Sequence, residues 1–158
     1  MNKADLFKHY HGEFQTMAKK LKSQDWFTCQ WKVSVGLNER DQPYLTLRMA
    51  NWDSGIHFES WITGADLERS TIPVAFHFES SREKTGIQRG KFYSYILEHG
   101  DDIISKLDGY KISPKSFQLL VKRAPFPEGK MLDVMESEYQ WIPLLAPIMD
   151  DAIKAVGE

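Results

Sequence analysis

Four successive runs between Phe27 and Glu79 alternate apolar and polar side chains with the two-residue period of a β-strand. In 27–37, Phe27, Cys29, Trp31, Val33, Val35 and Leu37 share one side. The run 44–52 turns Leu45, Leu47 and Met49 the same way, and 56–63 turns Ile56, Phe58, Ser60 and Ile62. The run 72–79 does so with Ile72, Val74, Phe76 and Phe78. Breaker residues lie between the first three, at Asn38–Pro43 and Asn51–Gly55, and an eight-residue connection precedes the fourth. Three short connections in a row predict an antiparallel meander. Pro73 cannot donate a ladder hydrogen bond, so its end of the fourth run is expected at an edge or a strand start.

Helical periodicity brackets this block. Over 3–22 the residues Phe7, Tyr10, Phe14, Met17, Ala18 and Leu21 form one stripe, with Lys19, Lys20 and Lys22 where cations suit the helix dipole. Residues 91–107 read as a second helix, with Gly100 as a close approach or a break. A fifth strand is expected over 116–123, with Phe117, Leu119 and Val121 on one face. Residues 130–156 are helical, and Pro143 with Pro147 predicts a kink or a new start near Trp141–Pro143. The expectation is one domain over residues 1–158. It is α+β and two-layered, with a mainly antiparallel five-stranded meander, helices mostly on one face and the order α-β-β-β-β-α-β-α. The opposite face is expected to be wet unless a partner covers it.

Composition supports a packed core, at 42% hydrophobic and 27% charged residues. A formal charge of −2 excludes a global basic field for nucleic acid or acidic membrane. No run is long and apolar enough to span a bilayer, and Met1–Asp5 does not open a signal peptide, so a cytoplasmic location is expected. Cys29 is the one cysteine, and its parity assigns it to the core.

The tetrapeptide His-Phe-Glu-Ser occurs twice, at 57–60 and 77–80. If the third and fourth runs pair as a hairpin with Gly64 opposite Ile72, Phe58 meets Phe78 inside. Outside, His57 then meets Glu79 and Glu59 meets His77. Pairing Leu47 with Phe58 would bring Arg48 beside His57. Arg48, His57, Glu59, His77 and Glu79 would then share one outer patch. Its plain reading is a charge ladder worth about 0.2–1 kcal/mol per pair. Its sharper reading is a metal or acid–base site, because two imidazoles and two carboxylates suit zinc or iron. Arg82, Lys84, Arg89 and Lys91 precede or open a helix and form a candidate anion site, without the full phosphate-loop spacing. Tyr44, Trp52 and Trp61 are outward by parity and form a candidate binding face, for a protein partner or a second copy of the chain.

Ser54–Phe58, the run Val74–Glu79, the helix carrying Glu98–Ile103 and the strand Phe117–Arg123 together resemble an uncharacterised α+β domain. That domain lies at the C-terminal end of some restriction-endonuclease-like proteins. The resemblance spans roughly residues 45–156 and transfers no catalytic residue. It implies a role near nucleic acid or in phage defence. No serine elbow, cysteine–histidine signature or dinucleotide fingerprint is present, and no cofactor is implied. The leading expectation is a non-catalytic binding module that uses the outer sheet face. The alternative is a metal-assisted hydrolase or a nuclease-associated domain working through the His/Glu patch.

Overall fold

The computed structural model describes residues 2–157. The chain opens with helix α1 (Lys3–Lys22), followed by strands β1 (Trp31–Leu37), β2 (Pro43–Met49) and β3 (Ile56–Trp61). Helix α2 (Gly64–Arg69) leads to β4 (Thr71–Phe78), then to helices α3 (Arg82–Thr85), α4 (Arg89–His99) and α5 (Asp101–Ile104). Strands β5 (Lys111–Ile112) and β6 (Gln118–Pro125) come next. The last part is α6 (Met131–Glu138), a 3₁₀ turn (Tyr139–Trp141) and α7 (Ile142–Val156). The strands form one antiparallel sheet in the order β1-β2-β3-β4-β6-β5. The fold is α+β, with six strands among the described residues where five are expected from the sequence. The addition is β5, only two residues long, at the edge beyond β6.

The core is the inner face of the sheet. Leu45, Leu47, Phe58, Ile72, Val74 and Phe76 are fully buried there. Each such side chain is worth about 1.5–3 kcal/mol when taken from water. Helix α1 packs on β1 and β2, α6 on β4, and α7 on α4. Asn2 caps α1 by accepting from the Asp5 N–H at 2.8 Å, and Phe7, Phe14, Met17 and Leu21 supply its buried stripe.

Several sequence expectations change. The first strand begins at Trp31, so Phe27–Gln30 lie outside the sheet and Cys29 is exposed, not in the core. Residues 63–70 are not a hairpin loop. Thr63 and Asp66 form a capping box that starts α2, and Ser70 ends it in the left-handed region at φ 52°. Spending that segment on a helix moves the β3–β4 register by two residues. Phe58 faces Phe76 instead of Phe78, and His57 faces His77 instead of Glu79. Pro73 is near the start of β4, beyond the last β3–β4 pair at Glu59 and Ala75, but β4 itself is an interior strand. The helix expected over 91–107 divides at Gly100, where a Cβ would come within 2.6 Å of the Ile96 carbonyl oxygen. The fifth predicted strand runs over Gln118–Pro125, and a register shift at Phe76/His77 sets Leu119 and Leu120 both into the buried interior. Phe117 and Leu119 therefore do not share a face in the expected way. The predicted break near Trp141–Pro143 is the 3₁₀ turn.

Candidate functional site

The outer face is not uniformly wet. His57 and His77 project from the centre of it, opposite one another on β3 and β4, and are only 5% and 2% exposed. Even parity alone puts both on the outer face, because their neighbours Phe58 and Phe76 take the inner one. Trp61 and Phe117 help to bury them, with ring centroids 5.3 and 5.2 Å from that of His77.

Each imidazole is held through one nitrogen and offers the other. His57 Nδ1 lies 2.7 Å from the Ser54 carbonyl oxygen, which can only accept. That contact puts the proton on Nδ1 and leaves Nε2 pointing into the cluster. His77 Nε2 lies 3.0 Å from the Gln118 side-chain amide and leaves Nδ1 for the cluster. Around these two free nitrogens stand two carboxylates. His57 Nε2 is 3.3 Å from Glu59 Oε1 and 3.6 Å from Glu79 Oε2. His77 Nδ1 is 3.5 Å from Glu59 Oε2 and 3.4 Å from Glu79 Oε1. None of these contacts has hydrogen-bond geometry: His57 Nε2 and His77 Nδ1 are buried and have no hydrogen-bond partner among the described residues.

The spacing has a chemical meaning. Donors bound about 2.0–2.1 Å from a tetrahedral ion stand roughly 3.3 Å apart, which is longer than a good hydrogen bond and close to the contacts here. One donor atom each from His57, His77 and Glu79 falls within 4.8 Å of the others. Glu59 touches both rings from outside that set of three. Burial alone would push the His57 imidazole down, but the Glu59 carboxylate, the Ser54 carbonyl and Glu79 outweigh it and hold its pKa above the ordinary value. The neighbouring His77 holds the Glu79 carboxyl below its ordinary range.

Three of this quartet, Glu59, His77 and Glu79, line a cavity of about 500 Å³ together with Tyr44, Trp61, Phe117, Gln118 and Arg123, and His57 lies behind them. Arg123 is positioned from behind. Its Nε donates to Asp66 Oδ1 at 3.2 Å, and its guanidinium carbon stands 5.7 Å from the centre of the Trp61 ring. Asp66 is 1% exposed and also accepts from Thr63 N, Thr63 Oγ1 and Thr71 Oγ1. The same carboxylate that caps α2 therefore fixes a cation at the rim of the cavity.

Other expected site residues are elsewhere. Leu47 does pair with Phe58, yet Arg48 turns away from the quartet: its Nη1 donates to the carbonyls of Met49, Ala50 and Trp52 and braces the β2–β3 turn. Trp52 is 3% exposed and belongs to the core, where its Nε1 donates to Asp150 Oδ1 at 2.6 Å. It leaves the outer aromatic set, while Tyr44 and Trp61 remain in it as half-buried walls. The Arg82–Lys91 cations do not share one setting. Lys84 lies 3.7 Å from Asp53, Arg89 donates to the Lys115 carbonyl, and Lys91 lines a separate depression on α4. Arg82 heads α3.

The residues that sequence reasoning missed are Gln118 and Arg123. Both reach the site through the β4–β6 pairing, which joins segments about forty residues apart and has no local signature. Neither family models, nor curated proteins, nor solved structures give a match to this chain. Among the described residues no helix is long and apolar enough to cross a membrane.

Proposed function

We propose that this chain is a binding module whose outer sheet face holds a divalent transition-metal ion and, through it, a small ligand. The ion would be taken by His57 Nε2, His77 Nδ1 and the Glu79 carboxylate. Two imidazoles and one carboxylate suit zinc, iron or manganese and leave coordination positions open toward the cavity. One observation carries the reading: two almost fully buried ring nitrogens have no hydrogen-bond partner and converge with carboxylate oxygens at ligand spacing. A buried nitrogen left in that state costs about 1–3 kcal/mol, and a metal ion would remove the cost. The far nitrogens carry the outer partners that metal-bound histidines normally have, a backbone carbonyl for His57 and an amide for His77. Binding through His77 Nδ1 places the proton on Nε2, so the Gln118 amide turns to present its oxygen.

A hydrolytic reading rests on a separate observation. Glu59 contacts both imidazoles but is outside the set of three donors, where a general base for a metal-bound water would stand. The proposed resemblance to a nuclease-associated domain adds no residue to either reading.

The test is metal analysis of protein purified without chelator, followed by calorimetric titration with zinc and with manganese. One equivalent is expected, lost in His77→Ala and in Glu79→Gln. Stoichiometric binding that survives both substitutions, or no binding of either ion, overturns the reading.

A further inference from the structure

We infer that the ligand of this cavity is a small aromatic carboxylate, gripped by Arg123 and bound only when the metal is present. The inference rests on the metal reading above and adds the class of molecule.

Arg123 is built as a receptor for an anion. Its Nε is committed to the buried Asp66, which fixes the plane of the guanidinium. Its terminal nitrogens have no hydrogen-bond partner among the described residues, and the side chain is 44% exposed at the cavity. A guanidinium held through Nε presents a planar fork that matches the two oxygens of a carboxylate. Asp66 is itself fully engaged by four donors, so it positions the arginine and does not compete for a ligand.

The walls select for a ring. Trp61 and Phe117 flank the same opening, with Tyr44 beyond them. Phe117 is 44% exposed, although its ring packs edge-on against the buried His77. A flat apolar group between these rings would cover Phe117 and gain offset or edge contacts. The cavity lies within the range of small-molecule sites and admits a one-ring ligand.

Charge makes the ligand depend on the ion. With both imidazoles neutral, Glu59 and Glu79 give the floor a negative potential that repels an anion. A divalent ion cancels the two carboxylates and offers an open position to a donor atom. Asp66 balances Arg123 in either state. Metal and carboxylate are therefore thermodynamically linked, each strengthening the other by the same factor.

The experiment titrates zinc-loaded protein with benzoate, acetate and inorganic phosphate, with zinc content verified for each variant. Benzoate should bind at millimolar concentration or tighter, about tenfold better than acetate. It should weaken by about tenfold or more in metal-free protein and in Arg123→Gln, with Arg123→Lys between parent and Gln. Trp61→Leu should lose the preference for benzoate over acetate. Circular dichroism of each variant separates loss of site from loss of fold. Benzoate that fails to bind zinc-loaded protein, binds equally without zinc, or ignores Arg123→Gln overturns the inference and leaves the metal reading intact. Phosphate binding tighter than benzoate overturns the aromatic carboxylate. Failure to take up any zinc overturns the metal reading itself, and this inference with it.

Discussion

The two faces of β3 and β4 are built from alternate residues of the same two strands, and they are held by opposite physics. Phe58 and Phe76 face each other on the inner side, fully buried, with ring centroids 5.1 Å apart. Their burial is compensated by dispersion and by the water they release, and no polar atom is left over. One residue away on the outer side, His57 and His77 are almost as deeply buried, at a centroid distance of 5.5 Å, and two ring nitrogens remain unpartnered. The inner pair stabilises the fold by itself. The outer pair, with its rings neutral, leaves two buried nitrogens without a hydrogen bond, which is a cost the inner pair does not carry. Equal depth of burial thus marks a core on one side and a candidate site on the other, and satisfaction of polar atoms tells them apart.

The largest expected effect is on the inner side. Phe76→Ala should destabilise the protein by about 3–5 kcal/mol, read as a lower denaturation midpoint in urea. A loss below about 1 kcal/mol would mean that Phe76 does not anchor the core, and the contrast between the faces would collapse.

His77→Phe sharpens the comparison from the other side. It replaces a costly buried nitrogen by an apolar ring among Trp61 and Phe117. Metal-free stability should stay within about 1 kcal/mol of the parent or rise. Zinc at a hundredfold excess over its Kd should add about 2.7 kcal/mol to the parent and nothing to the variant. A large loss without metal would show that the histidine is a structural member of the sheet.

The smallest effect is a dependence on pH. His57 has a raised pKa in the fold, so without metal its contribution is complete below its ordinary value of 6.5 and is lost as pH rises through the raised value. Zinc requires the neutral imidazole, so zinc-dependent stabilisation should grow over the same rise. Urea midpoints measured from about pH 5.5 to 8.5, with and without zinc, should diverge upward in pH. Parallel curves would break the link between His57 and the ion.

Much of this was legible in the chain. Alternation correctly assigned Leu47, Phe58 and Phe76 to one face and His57, Glu59, His77 and Glu79 to the other, because parity survives any even change of register. The register itself was not legible, since it depends on whether 63–70 is a turn or a helix. The Thr63–Asp66 capping box was the available signal for the helix. Trp52 escaped because parity fails in a turn, where the chain leaves the sheet and the indole can swing to Asp150. Gln118 and Arg123 escaped because cross-sheet neighbours are fixed by the tertiary pairing of β4 with β6 and not by any local pattern.

The pairing of His57 with His77 has a consequence in symmetry. Antiparallel strands related by a two-fold axis through that pair superpose residue 57 on 77, 58 on 78, 59 on 79 and 60 on 80. The repeated His-Phe-Glu-Ser is therefore a small local dyad, one tetrapeptide used twice, and the four near-equal nitrogen–oxygen distances are its signature. A purely dyadic site could not tell one end of a ligand from the other. The surroundings break the degeneracy: Ser54 fixes one imidazole and Gln118 the other, so Nε2 is offered on one side and Nδ1 on the other. Arg123 stands on the β6 side alone, and it gives an internally symmetric centre a single polarity.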